Sequence, residues 1–177
     1  MHMKITYPLH QIYKSLLLAI LLMPISAVYG DAVKTLGWDD LIPDDAIEEL
    51  KKIAATPINH NGDVMEQQMS PLLSAVKPEL DGLKVRLPGF MVPLGGDENK
   101  VTEFLLVPYF GACMHTPPPP VNQIVYVNYP KGVHPDMLYD PIWIEGPLNV
   151  GEVESELAVS GYSMKAVNVS IYTEPSE

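Results

Sequence analysis

The stretch GACMHTPPPPVNQ, residues 111 to 123, gathers the side chains most able to do chemistry. It holds the chain's single cysteine, Cys113, then His115, then Pro117, Pro118, Pro119 and Pro120 in a row. In extended backbone alternate side chains point the same way, so Cys113 and His115 share one side and Met114 takes the other. Pro117 keeps Thr116 out of helical space, and four prolines make a stiff polyproline rod of roughly 3.1 Å per residue. A thiolate and an imidazole held together suit zinc or copper. Two ligands do not complete a zinc site, so His60, His134 and the carboxylates are the candidates to finish it. His134 sits in KGVHPDMLYD, near Asp136 and Asp140, where a solvated loop histidine is the plainer reading.

Three other roles fit the same residues. Cysteine is among the most buried residue types and packs as a small hydrophobe. On that structural reading His115 bonds a loop carbonyl, the prolines close one end of the domain and Asn122 caps the turn into the next strand. This needs no further ligand, but an unpaired thiol is a liability in an oxidising compartment. A catalytic reading takes His115 as the group that lowers the Cys113 pKa. Spacing of i,i+2 on one rigid strand suits a dyad poorly, and no third orienting group is evident. A binding reading takes Pro117 to Pro120 and Asn122, flanked by Tyr109, Phe110 and Val121, as a surface for another protein. A preformed polyproline rod loses little entropy when docked.

The chain's start bears on the compartment. Lys4 and Lys14 stand in a leader with no acidic residue, followed by SLLLAILLMPISAVYG. That apolar run is shorter than the about 20 residues of a membrane span, and Pro24 interrupts it. The pattern is a secretory signal peptide over residues 1–30, with cleavage before Asp31. No cysteine follows the run to carry a lipid. The expectation is a periplasmic protein, not embedded in the membrane once the leader is removed.

Composition narrows the partners. The chain has 11 basic and 22 acidic residues; the leader takes two of the basic ones, leaving 9 against 22 and a formal charge of −13. Nucleic acid binding needs a positive footprint, and none is visible, so nucleic acid is excluded as a partner. The single cysteine rules out an internal disulfide framework. There is no nucleotide-binding glycine loop, G-x-S-x-G, H-E-x-x-H or C-x-x-C. The 147 residues after position 30 have the length of one domain.

The elements that must hold the stretch are mostly strands. Residues 31–82 read as a helix plus an irregular connection. In WDDLIPDDAIEELKKIAA, Ile47, Leu50 and Ile53 recur at helical spacing, with acids at the front and Lys51 and Lys52 at the back. The spacing predicts a helix over 44–55, with Trp38 and Leu41 packed just ahead of it. Pro57, Asn59, Gly62, Pro71 and Pro78 punctuate the connection, with one helical turn in MEQQMSPLLSAV. Residues 83–177 read as the β domain. Leu83, Val85 and Leu87 alternate up to a bend at Pro88-Gly89. VTEFLLVPY, NQIVYVNYP and DPIWIEGPLNV are further strands, the last interrupted at Gly146-Pro147. A short helix is expected over 154–160, and YSMKAVNVSIY reads as one final strand. Five or six short strands with few helices predict a mainly β fold, a small barrel or sandwich.

The blocks VRLPGFMVPL and VTEFLLVPYFGACMHTPPPPVNQIVYV, with WDDLIP, YDPIWIEGPL and SGYSMKA, resemble a bacterial exported family known only as domain of unknown function 3299. The resemblance runs over nearly the whole exported chain. It implies a small OB-like β-barrel, with the short N-terminal helix ahead of it, and brings no enzymatic activity with it. It also implies an accessory of envelope transport systems that handle metal, zinc first, with transporter components as partners; copper enters only through the thiol–imidazole pair. The resemblance carries no site residues with it; Cys113, His115 and His134 are the metal-ligand candidates from their own chemistry. The other expectation is a metal-free interaction module of an envelope complex, working through Pro117–Pro120 and Asn122.

Overall fold

The computed structural model describes residues 32–55, 71–112 and 118–173. The expected signal peptide lies outside them, as do Cys113, Met114, His115, Thr116 and Pro117. The first described strand is β1, Lys34–Thr35, followed by a 3-10 turn at Asp39–Leu41. The expected helix, α1, spans Asp44–Ala55. Asp44 and Asp45 occupy its first turn and Lys52 its last, as the helix dipole favours. Its Lys51–Glu48 and Lys52–Glu49 pairs, both at 3.1 Å, are exposed and stabilise little. Ala46 faces inward and is buried. Residues 71–74 form a helical turn, and Pro78–Leu80 a 3-10 turn.

Six more strands complete the fold: β2 at Lys84–Asp97, β3 at Lys100–Val107, β4 at Val125–Val133, β5 at Ile142–Glu154, β6 at Val159–Lys165 and β7 at Asn168–Ile171. Hydrogen bonding runs β2-β3-β4-β6-β5 and back to β2, which closes a five-strand barrel. β4 and β6 run parallel; the other barrel neighbours are antiparallel. β1 joins β2, and β7 joins β5, outside the closed ring. The fold is thus mainly β and OB-like, as expected.

The Gly-Pro pairs mark where long strands change neighbours. β2 pairs with β5 from Lys84 to Gly89 and with β3 from Phe90 to Asp97. A Cβ on Gly89 would lie 2.7 Å from the Val107 carbonyl and 2.9 Å from the Trp38 ring, so only glycine allows that crossing. β5 pairs with β2 up to Pro147 and with β6 from Leu148 onward. The expected interruption at Gly146-Pro147 is therefore absent. Pro147 costs one donor, but Leu148 donates to the Leu83 carbonyl at 2.9 Å and continues the ladder. Gly146 is needed because a Cβ there would meet the Lys165 carbonyl at 2.8 Å.

Two further expectations are corrected. No helix forms over 154–160. Ser155 Oγ donates to the Ala158 carbonyl at 2.7 Å and accepts from its amide at 3.1 Å, and this local competitor makes a tight turn between β5 and β6. YSMKAVNVSIY is two strands, not one. After Lys165 the Ala166 amide still donates to the Asn128 carbonyl of β4 at 3.0 Å, and Val167 donates to the Glu145 carbonyl at 2.7 Å to start β7, which pairs with β5 over Ile142–Glu145.

The strands bury two apolar layers. Inside the barrel lie Val85, Leu87, Phe104, Leu106, Val125, Val127, Ile144 and Tyr162, with Leu36, Leu41 and Leu80 of the N-terminal segment packed among them. Outside it, Val92, Leu105, Val107, Ala112 and Ile124 form a second cluster. β3 reads FLLV because both of its faces are covered. Trp38 packs against the inner core and donates its Nε1 to the Pro88 carbonyl at 2.8 Å.

Candidate functional site

The Gly111–Gln123 stretch connects β3 to β4, and its two described flanks differ. On the entry side the buried Val107 gives way to Tyr109 and Phe110, which are 44% and 55% exposed. Gly111 then takes a left-handed backbone (φ 83°) that glycine reaches without strain, so the chain reverses just after Phe110. Ala112 turns inward into the outer apolar layer. The Phe110 ring stands edge-on to Phe90 of β2, centroids 6.0 Å apart, and 6.1 Å from Tyr139. Tyr139 belongs to a 3-10 turn, Pro135–Tyr139, between β4 and β5, and is 76% exposed. Three elements distant in sequence thus bring rings together. Between β2 residues 90–93, the 110–112 turn and Leu138–Tyr139 lies a cleft of about 170 Å³ with mostly apolar walls.

The exit side is anchored. Pro118 is exposed, Pro119 is buried, and Pro120 keeps polyproline-like backbone (φ −55°, ψ 153°) before the 3-10 turn Val121–Gln123. The Asn122 side chain is fully buried and donates to the carbonyls of Leu72 and Ala75, at 3.2 and 2.9 Å. Its Oδ1 is buried without a hydrogen-bond partner among the described residues. Gln123 Nε2 donates to the Trp38 carbonyl at 3.0 Å. Next to this turn, the Tyr162 hydroxyl accepts from the Lys77 amide at 2.7 Å and donates to the Leu41 carbonyl at 2.6 Å. Burial pushes the Tyr162 phenol up from its ordinary pKa. The VNQ end therefore ties the loop, the barrel and the N-terminal segment together.

Charges are arranged differently on the two sides. Lys77 reaches Asp44 at the start of α1 at 2.7 Å; their hydrogen bond holds the Asp44 carboxyl low and raises Lys77. This pair borders a wider, open cleft of about 440 Å³ between α1 and residues 72–79. It gathers none of the residues singled out from sequence. Beside the aromatic cleft, Asp136 and Asp140 are both exposed, and among the described residues neither pairs with a lysine or arginine. On β4, burial and the Glu103 carboxylate raise the phenol of Tyr126.

The residues expected from sequence fall into three groups. Cys113, His115 and Pro117 lie outside the described residues. Pro118, Pro119, Pro120 and Asn122 lie together in the exit flank, where Asn122 faces inward and only Pro118 is exposed. His134 stands apart at the start of the Pro135–Tyr139 turn. Its Nδ1 is 3.3 Å from the Asp136 amide and 3.2 Å from the Asp136 carboxylate. That nitrogen accepts from the Asp136 amide and caps the turn. No group of three His, Cys, Asp or Glu side chains gathers among the described residues. Phe90 and Tyr139 were not singled out from sequence. The signal for them is weak: an exposed aromatic in a polar turn, and an aromatic next to Pro88-Gly89.

The model of the DUF3299 family, a protein of unknown function, matches residues 38–171. The chain belongs to this family. Among solved structures, the crystal structure of a DUF3299 family protein from Pseudomonas aeruginosa PAO1 is 42% identical, with a TM-score of 0.63 over 82% of this chain and 99% of that one. OBody AM3L09 bound to hen egg-white lysozyme is 18% identical, with a TM-score of 0.33 over 58% of this chain and 93% of the other, too slight a likeness to bear on the fold. No curated protein matches. The DUF3299 match begins at Trp38, which the Gln123 side chain ties to the loop, and ends at Ile171, the last residue of β7.

Proposed function

We propose that this DUF3299 protein is a non-enzymatic accessory of the cell envelope, exported to the periplasm, that docks a protein component of a transport system. The docking face is the ring cluster of Phe90, Phe110 and Tyr139 at the entry to the Gly111–Gln123 stretch. One observation carries this reading: large aromatic rings stand exposed around an apolar cleft while the layer beneath them is fully buried. Aromatic anchors around a pocket are the usual core of a protein–protein hot spot. The test is recovery of envelope proteins by tagged wild type and by a Phe110→Ala/Tyr139→Ala variant. Recovery that disappears in the variant, with folding intact, supports the reading; equal recovery removes this face from it.

Handling of zinc or copper is the second reading, favoured by the Cys113-x-His115 spacing, which in extended backbone would direct thiol and imidazole to one side. His134 would be the third ligand, and it brings one carboxylate with it, that of Asp136 at 3.2 Å. Metal titration of wild type against Cys113→Ser/His115→Ala decides it. If zinc and copper(I) bind no tighter to wild type than to the double variant, this reading fails.

A further inference from the structure

We propose that the Phe110–Tyr139 cleft seats one aliphatic side chain of a partner segment, and that lysine or arginine residues beside that anchor pair with Asp136 and Asp140. The proposal rests on the docking reading above and names the chemistry of the partner. Size limits the occupant first. A cleft of about 170 Å³ is smaller than the roughly 300–1,000 Å³ that small-molecule sites offer, so it suits one inserted side chain. The walls choose the anchor's type, because Met91, Val92, Leu138 and the rings present apolar surface. Backing by the buried outer layer keeps this wall fixed before binding, which lowers the ordering cost of association.

Charge then chooses the anchor's neighbours. Tyr139 is the most exposed large apolar side chain among the described residues, at 76%. Asp136 lies three positions before it and Asp140 directly after, both exposed; Asp136 has His134 Nδ1 at 3.2 Å, and neither is paired with a lysine or arginine among the described residues. A cation arriving there meets carboxylates and open ring faces, which attract it in the same direction. The whole chain carries a net charge of −11, so long-range attraction also favours a basic segment. The same charge disfavours an anionic lipid surface, which recruits basic segments.

Three acetylated, amidated pentapeptides test this by amide-resolved NMR titration of the exported protein. One has a central leucine between pairs of lysines, one has alanine at the centre, and one keeps leucine but replaces the lysines with glutamates. The expected result is saturable shifts at Phe110, Ala112, Leu138 and Tyr139 with the lysine–leucine peptide. Binding should be about tenfold weaker with central alanine and undetectable with glutamates. Asp136→Asn/Asp140→Asn should weaken the lysine–leucine peptide about threefold, with the thermal midpoint unchanged. Equal binding of the glutamate peptide, or shifts away from the cleft, overturns the proposal. So does sedimentation of the protein with phosphatidylglycerol vesicles through Tyr139, which would make the occupant a lipid surface. If no peptide binds but envelope partner recovery still depends on Phe110 and Tyr139, the docking face stands and the chemistry named here is refuted. If that recovery is also independent of Phe110 and Tyr139, both readings fall.

Discussion

The two flanks of the Gly111–Gln123 stretch contrast a presenting surface with an anchor. Before the loop, Tyr109 and Phe110 expose apolar rings beside a cleft. After it, Pro119, Asn122 and Ile124 are buried, and the Asn122 and Gln123 amides are spent on backbone carbonyls of the N-terminal segment. The described entry flank thus presents exposed rings, while the described exit flank is fixed to the N-terminal segment. Substitutions on the exit side should cost folding stability, and those on the entry side should cost binding alone.

The largest effect belongs to Ile124, 1% exposed in the outer layer. Ile124→Ala should lower unfolding stability by about 2–5 kcal/mol, read from the denaturation midpoint. Tyr162→Phe comes next. It leaves the Leu41 carbonyl and the Lys77 amide without partners, an expected loss of about 1–3 kcal/mol. Because burial raises the Tyr162 pKa, its contribution is fully present below the unfolded value, about pH 10, and is lost as pH rises through the folded one. The phenylalanine variant should lack that alkaline decline. Phe110→Ala should change stability by under about 1.5 kcal/mol, since the ring is half exposed and its ring contacts are one edge-on and one tilted, yet abolish cleft binding. The smallest effect is at Asp44. Its lowered pKa gives a contribution present above the unfolded carboxylate value and lost as pH falls through the lowered one. Asp44→Asn should only flatten the acid end of the stability curve.

Much of the barrel was legible from alternation. In NQIVYVNYP, read as a strand, Ile124, Tyr126 and Asn128 alternate with Val125 and Val127, and the structure sets Val125 and Val127 in the inner core and Ile124 in the outer layer. The Pro-Gly marks were harder to read. Pro88-Gly89 and Gly146-Pro147 look like breaks, yet each is a place where a long strand changes partners, and pairing partners are not encoded locally. The Ser155 turn and the division of the last strand depend on the same non-local choice. Asn122 was legible as a turn residue, but not its reach to Leu72 and Ala75, some 50 and 47 positions away. The aromatic cleft was the least legible feature, because Phe90, Phe110 and Tyr139 meet only after three separate connections are in place.

The most direct test is site-specific photo-crosslinking in the cell envelope. The crosslinking residue replaces Tyr139 at the cleft or, as a control, Ile171, a large apolar residue 53% exposed in β7. A docking face predicts one discrete adduct from position 139, none from 171, and loss of the 139 adduct when Phe110 is changed to alanine. The same adducts from both positions, or a 139 adduct indifferent to Phe110→Ala, would contradict it.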